Sequence, residues 1–185
     1  PADQGGEVSY AEFIAKKDRL DKPSGFDPGD AMTASLFPFQ KAIVRWACRR
    51  GRAAIWADCG LGKTIMALDW ARLVTEHCGG SAIILTPLAV AEQFAEEGRK
   101  FGIAVNVCKS GEDLRPGINV ANYERIHRFD LSGMSAVVLD ESSILKDYSS
   151  ATRGLLIDTF AKTPYRLACT ATPSPNDHIE LGNHA

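Results

Sequence analysis

Apolar positions along the chain fall into two alternating textures. Short runs without a polar interruption, "SAIILTP" (residues 81–87) and "AVVLD" (136–140) foremost, are separated by longer stretches in which apolar residues recur at helical spacing. An uninterrupted run has no polar face to give to water. It therefore predicts a strand covered on both sides, as in a parallel sheet sandwiched between helices. Further strands are expected at "AAIWA" (53–57), "AVNVC" (104–108), "INVANY" (118–123) and "YRLACTAT" (165–172). Helices are expected over "LFPFQKAIVRWACRRG", with Pro38 in its first turn and Gly51 past its end, and over 63–77, 89–101, 123–129, 149–161 and from Asn176 onward. The helix after residue 62 is apolar nearly all round (Ile65, Met66, Leu68, Trp70, Leu73, Val74), as suits a helix lying under a sheet, and Gly79 and Gly80 supply its stop. The alternation predicts a three-layer α/β domain with a mostly parallel central sheet.

Ahead of these elements the pattern weakens. Residues 1–6 form a polar lead, "YAEFIAKKDRL" (10–20) has helical spacing at Phe13, Ile14 and Leu20, and "DKPSGFDPGD" (21–30) is a Pro-, Gly- and Asp-rich connecting loop. We divide the chain into an N-terminal extension and loop, 1–35, and a domain, 36–185. It begins at Pro1 and stops at "LGNHA" with no start or end signal, so it reads as a piece of something longer. A length of 185 residues and 45% hydrophobic content suffice for one core. The formal net charge of -2 supplies no global basic field, so any nucleic-acid contact must be local. The five cysteines are odd in number and hold no Cys-x-x-Cys pair, which points away from zinc and disulfides and towards a reducing cytoplasm. No apolar run is long enough to span a bilayer, so no membrane is expected.

The chemistry begins at "WADCGLGKT" (56–64), where an expected strand passes through glycines into Lys63-Thr64 at a helix start. Gly60 and Gly62 let the backbone approach an anion, and the amides of Asp58, Cys59, Gly60, Leu61 and Gly62 with the helix N-terminus face it. In this context Lys63 neutralises the β- and γ-phosphates of a nucleoside triphosphate, and the Thr64 hydroxyl is a magnesium ligand. The strict phosphate-loop pattern opens on glycine where Ala57 stands here. Cys59 takes part through its backbone, although a thiol beside helix-start amides also raises the possibility of redox sensitivity.

The second constellation is Asp140-Glu141, at the end of "AVVLD". A carboxylate at the C-terminal end of such a strand faces the crevice in which open α/β sheets bind ligands. Two adjacent acids can divide labour, Asp140 holding magnesium through water and Glu141 orienting and deprotonating the attacking water. A small-molecule or nucleotide kinase shares the phosphate loop and remains an alternative at this stage, as does an inert nucleotide-binding module.

The motifs, in their order over about residues 36–176, resemble the first RecA-like motor domain of superfamily two helicases and translocases, and most closely the Swi/Snf-type branch in its bacterial and prophage versions. The resemblance implies that Gln40 of "FPFQKAIVRW" contacts the adenine edge with Phe39 nearby. It further implies that Thr86-Pro87 approach the nucleic-acid backbone and that "VANYERI" tracks the strand, with Tyr123 and Glu124 in matching places. "DESSILKD" then corresponds to the family's Asp-Glu box and following Leu145-Lys146, and Thr170-Ala171-Thr172 to the segment that links hydrolysis to movement. The family's box carries histidine or aspartate where Ser143 stands; serine can hydrogen-bond but not carry charge. By the same resemblance the cofactors are ATP and Mg2+, and the partners are DNA, double-stranded on the family branch, and a second RecA-like lobe of the same protein that lies outside this chain.

Weaker features complete the picture. Lys41, Arg45 and Arg49 share a helix face and are read as a solvated face or a phosphate track. Arg125, His127 and Arg128 follow the "NYE" motif and suit phosphate contact. His77 is read as a helix-capping residue, Trp46, Trp56 and Trp70 as core, and "PSPND" (173–177) as a loop and cap.

Overall fold

A computed structural model describes residues 23–143 and 150–172. In chain order the elements are α1 (Pro38–Arg50), β1 (Arg52–Trp56), α2 (Lys63–Cys78), β2 (Ala82–Thr86), α3 (Ala91–Lys100), β3 (Val105–Val107), β4 (Ile118–Asn122), β5 (Ala136–Leu139), α4 (Ser150–Phe160) and β6 (Tyr165–Thr170). Short 3-10 segments lie at Gly111–Asp113 and Tyr123–Arg128. The six strands form one sheet in the order β1-β6-β5-β2-β4-β3, and every neighbouring pair is parallel.

The pleat explains the three layers. In β2, Ala82 and Ile84 face a core shared with Val44, Met66 and Phe94 from α1, α2 and α3. The alternate residues Ile83 and Leu85 face a second core with Tyr123, Ile126, Leu131, Leu156 and Phe160. All five residues of β2 and all five of β4 are buried, as expected for strands covered on both faces. Helix α2 is buried around most of its circumference, with Met66, Leu68, Trp70 and Val74 fully enclosed. It ends at Gly79 in the left-handed conformation.

Several expectations need correction. Residues 123–129 were expected to form an α-helix; they form a 3-10 segment, because the chain must rise from buried β4 and return to β5 within few residues. The strand expected over 104–108 shortens to three residues at the sheet edge. Trp70 is core, but Trp46 and Trp56 are about half exposed, at 47% and 51%. Trp56 ends β1, which among the described residues has a strand neighbour on only one side, so a hydrophobic residue there lacks the cover that the interior strands enjoy. Among the described residues the His77 side chain makes no capping hydrogen bond; from the last turn of α2 its ring stacks on Phe26 at 3.9 Å between centroids. The expected helices at 10–20 and from Asn176, Leu145-Lys146 and the "PSPND" segment lie outside the described residues.

The connecting loop is tied down firmly. The backbone amides of Ser24, Gly25 and Phe26 donate to the carbonyl oxygens of Arg50, Arg49 and Cys48, satisfying acceptors that the end of α1 leaves open. Lys41 donates to the Ala34 carbonyl, Arg45 to that of Gly29, and Arg49 to the Asp27 carboxylate at 2.7 Å. The three cations read as a solvated face or phosphate track therefore hold the loop against α1.

A substitution series checks the layering. Phe94→Ala, in the fully buried core, is expected to lower the unfolding free energy by about 3–5 kcal/mol. Trp46→Ala, on the open face of α1, is expected to cost no more than about 1 kcal/mol. Denaturant titration followed by circular dichroism measures both.

Candidate nucleotide site

Strand order brings the two sequence constellations together. Because β6 pairs with β1 on one side and β5 on the other, the C-terminal ends of β1, β6 and β5 stand side by side. The loop after β1 carries Asp58 to Gly62, the turn after β5 carries Asp140-Glu141, and β6 ends at Thr170. The Ala57 amide donates to the Thr170 carbonyl at 3.2 Å, stitching the first and third of these edges directly.

The phosphate loop is built on backbone torsions closed to most residues. Gly60 and Gly62 have φ of 83° and 78°. A Cβ on Gly62 would lie 2.4 Å from the Gln40 Nε2, whereas one on Gly60 would meet nothing within 4 Å. The loop is thus packed against Gln40 on one side and open on the other, the side from which an anion can approach. The Cys59 amide is capped by the Asp58 carboxylate at 2.7 Å, and Asp58, Cys59, Gly60 and Leu61 are exposed. Lys63 folds back over the loop, its Nζ donating to the carbonyl oxygens of Ala57 at 2.8 Å and Asp58 at 3.3 Å. Thr64 is half-buried one residue further along α2.

Gln40 is 5% exposed and both ends of its amide are engaged. Its Oε1 accepts the Phe37 amide at 2.9 Å and its Nε2 donates to the Leu61 carbonyl at 3.1 Å. It therefore joins the start of α1 to the phosphate loop. Beside it Phe37 and Phe39, 64% and 45% exposed, hold their rings nearly parallel with centroids 6.1 Å apart.

The acidic pair is unequal. Burial and the neighbouring Glu141 charge push the Asp140 carboxyl up to about 6, against the opposing pull of Lys63. Two bonds set the turn after β1 and the acidic turn on either side of the end of β6: the Ala57 amide donates to the Thr170 carbonyl and the Thr170 hydroxyl to Glu141. Glu141 has φ of 48°, the only positive value among the described non-glycine residues. A strained backbone of this kind persists only where the surroundings enforce it. Here the enforcement is visible: the Glu141 Oε1 accepts the Thr170 hydroxyl at 2.9 Å and the Ser143 hydroxyl at 3.2 Å. Thr170 Oγ1 also lies 3.2 Å from Ser143 Oγ and accepts the Thr172 amide at 3.1 Å, and the Thr172 hydroxyl lies 3.4 Å from Ser143 Oγ. Ser143 thus stands between the acidic pair and the Thr170-Ala171-Thr172 segment without needing a charge.

Of the residues linked to nucleic acid, two face inward. Thr86 is fully buried, its hydroxyl on the Pro87 carbonyl, and Tyr123 is 1% exposed with its hydroxyl donating to the Asp140 carbonyl at 2.9 Å. The Tyr123 side chain is therefore a strut beneath the acidic pair and presents no surface to a strand. Pro87 and Arg125 are half-buried. Arg125 lines a cleft of about 300 Å³ together with Leu88, Glu92, Lys109 and Asn122. Asn122, which the sequence reading passed over, donates to the carbonyl oxygens of Pro87 and Leu88 at 3.0 and 3.1 Å and so holds the rim of that cleft. His127 and Arg128 are exposed beside it. Among the described residues, no three His, Cys, Asp or Glu side chains converge as a metal cage, and no helix is long and apolar enough to cross a membrane.

No protein-family model matches the chain. It is 26% identical over 170 residues to the DNA annealing helicase and endonuclease ZRANB3 of Bos taurus, across 82% of this chain and 16% of that protein. It is 25% identical over 159 residues to the SWI/SNF-related matrix-associated actin-dependent regulator of chromatin subfamily A-like protein 1 of Xenopus tropicalis, across 80% of this chain and 17% of that protein. The chain thus spans about a sixth of the length of these curated relatives. Among solved structures, the Sulfolobus solfataricus SWI2/SNF2 ATPase core in complex with dsDNA superposes with a TM-score of 0.70 at 22% identity, covering 86% of this chain and 36% of that one. The UvsW helicase from bacteriophage T4 superposes with a TM-score of 0.69 at 14% identity, covering 96% and 66%. The fold is that of the RecA-like domains in these helicases.

The raised Asp140 titration has a consequence for stability. Its carboxyl is protonated in folded and unfolded chains below about pH 4 and ionised in both well above pH 6, so burial of its charge destabilises the fold increasingly as pH rises between these limits. Asp140→Asn is expected to stabilise the magnesium-free protein by on the order of 2 kcal/mol near pH 8, and the gain should vanish towards about pH 4. Denaturant titrations of both proteins across pH measure the difference.

Proposed function

We propose that the chain is the first motor lobe of an ATP-driven DNA translocase of the Swi/Snf type, in the bacterial and prophage branch. The observation that carries this reading is the bonded link from Glu141 through Ser143 to Thr170 and Thr172, set beside Lys63 and the phosphate loop. A site that only bound a nucleotide would have no use for a strained acid tied to the end of a neighbouring strand. A kinase would leave the acid open to a hydroxyl acceptor.

The residues present fit a magnesium-bound triphosphate: a glycine turn open on its outer face, an ammonium, a hydroxyl at the helix start and a carboxylate opposite. Thr64 and Asp140 would hold the magnesium ion, which when bound supplies charge neutralisation across the phosphate oxygens. Lys63 exchanges its bonds to the Ala57 and Asp58 carbonyl oxygens for phosphate oxygens. The amides from Asp58 to Gly62, with the N-terminus of α2, receive the negative charge. Glu141 orients the attacking water and takes its proton. The hydrogen bonds from Thr170 and Ser143 hold its carboxylate in place, and a change at Glu141 is felt at once at the end of β6.

One relative, ZRANB3, is a DNA annealing helicase and endonuclease, and one structural neighbour was solved with dsDNA. On that basis double-stranded DNA is the proposed track. Arg125 and Lys109, around the cleft whose rim Asn122 holds, are the cations best placed for its phosphates. A second RecA-like lobe completes the machine; an arginine supplied across such a cleft is worth about 10³–10⁵ in rate. The chain alone is proposed to hydrolyse ATP slowly, in the cytoplasm of its host.

In the full-length protein, Lys63→Ala and Glu141→Gln are each expected to lower DNA-stimulated ATP turnover by about 10²-fold or more. Released phosphate, with no phosphorylated nucleoside or nucleotide formed, distinguishes hydrolysis from kinase chemistry. Undiminished turnover in either variant removes the assigned roles. Ser143→Ala is expected to reduce stimulation by DNA more than basal turnover, and equal loss of both would deny it a linking role.

A further inference from the structure

Asp69 is a carboxylate with no solvent exposure, on a helix otherwise enclosed by apolar residues. A buried charge is tolerated when donors surround it. Asp69 has four: the Thr33 amide at 3.1 Å, the Thr33 hydroxyl at 2.6 Å, and the Arg72 Nε and Nη2 at 3.1 and 2.7 Å. Arg72 also donates to the Ala31 carbonyl at 2.6 Å and to both oxygens of Glu76. Half of the bonds to Asp69 thus come from Thr33, in the segment between the connecting loop and α1, 36 positions earlier in the chain.

From Thr33 the bonding continues. The Thr33 carbonyl accepts the Leu36 amide at 3.2 Å, and Leu36 is buried in the core. The next residue is Phe37, whose amide donates to Gln40, and Gln40 donates to Leu61 in the turn that enters α2. The path leaves α2 at Asp69, about 9 Å along the helix from Lys63, and returns to the turn just before Lys63. It encloses the start of α1 with its exposed Phe37 and Phe39 rings.

We propose that Asp69 and Thr33 form a positioning latch for recognition of the nucleotide base, fixing Phe37, Phe39 and Gln40 relative to the phosphate loop. This rests on the reading that the chain binds ATP. Gripping phosphates draws on the turn between β1 and α2, whose torsions Gly60 and Gly62 set. Reading a base needs two separate elements in register, α1 and that turn, and the register is what the latch sets. Neither Asp69 nor Thr33 touches the nucleotide in this scheme; both act through Phe37 and Gln40.

The test uses the full-length protein and titration calorimetry with ATP, GTP and inorganic tripolyphosphate. Thr33→Val keeps the amide and the shape while removing the 2.6 Å bond, and leaves the Asp69–Arg72 pair intact. It is expected to weaken ATP binding roughly three- to tenfold and to narrow the preference for ATP over GTP. Tripolyphosphate binding should change by less than about twofold, and Thr33→Ser should restore ATP binding. Asp69→Asn should act in the same direction and more strongly; should it fail to fold, the Thr33 pair decides alone. Equal weakening of ATP and tripolyphosphate would reduce the latch to general scaffolding, and unchanged ATP binding would overturn it. Absence of ATP binding by the unaltered protein would sink the functional reading and this inference with it, whereas ATP binding indifferent to Thr33→Val sinks the latch alone.

Discussion

Strand β6 is the last of the six among the described residues, yet it pairs between β1 and β5. A parallel sheet exposes all its C-terminal strand ends along one edge, so this single insertion decides which loops become neighbours. It sets the glycine loop after β1, the end of β6 and the acids after β5 shoulder to shoulder. It also makes possible the Ala57–Thr170 and Glu141–Thr170 bonds, one to each side of β6. Were β6 at the sheet edge, Lys63 and Glu141 would be further apart and the strained turn at Glu141 would have no hydroxyl to hold it.

The polar groups around this edge are deployed economically. Glu141, Ser143, Thr170 and Thr172 bond to one another. Tyr123 supports the acidic turn from below through the Asp140 carbonyl. On the other side of the glycine loop, Gln40 bonds α1 to the turn before α2, and Asp69 bonds α2 to Thr33 ahead of α1. The cleft is therefore braced from both flanks, and its open face is the one lined by Gly60. Asp140, buried beside a second acid, bears the electrostatic cost of that arrangement, a cost that a bound cation relieves.

The connecting loop changes meaning once its partners are known. As sequence, "DKPSGFDPGD" is punctuation between elements. In the fold it caps the end of α1 with its amides and pairs Asp27 with Arg49 and Arg45, and Thr33, three residues beyond it, reaches Asp69. Its sequence distance from Asp69 hides the contact, although one local clue was present. A charged residue in a helix that is apolar nearly all round demands a partner from elsewhere.

How much was legible in the chain follows the range of the forces involved. The uninterrupted apolar runs, the Pro38 start and Gly51 stop, and the glycine turn leading into Lys63 and Thr64 are local features, and the three-layer parallel architecture was readable from them. The glycine turn and the Asp140-Glu141 pair are equally short and contiguous signals, and the sheet brings both to one edge. Burial of Tyr123 and Thr86, exposure of Trp46 and Trp56, and the use of Lys41, Arg45 and Arg49 to clamp a loop were not readable. Each depends on what lies opposite in space, and a side chain's type does not say whether a neighbour arrives to cover it. The role of Ser143 belongs to the same class: sequence showed only a missing charge, while tertiary structure brought two threonine hydroxyls and a carboxylate within reach of its oxygen. Periodicity and loop chemistry act over a few residues and are written in order along the chain; register, strand insertion and pairing across 30 or more positions arise only when the sheet closes its order.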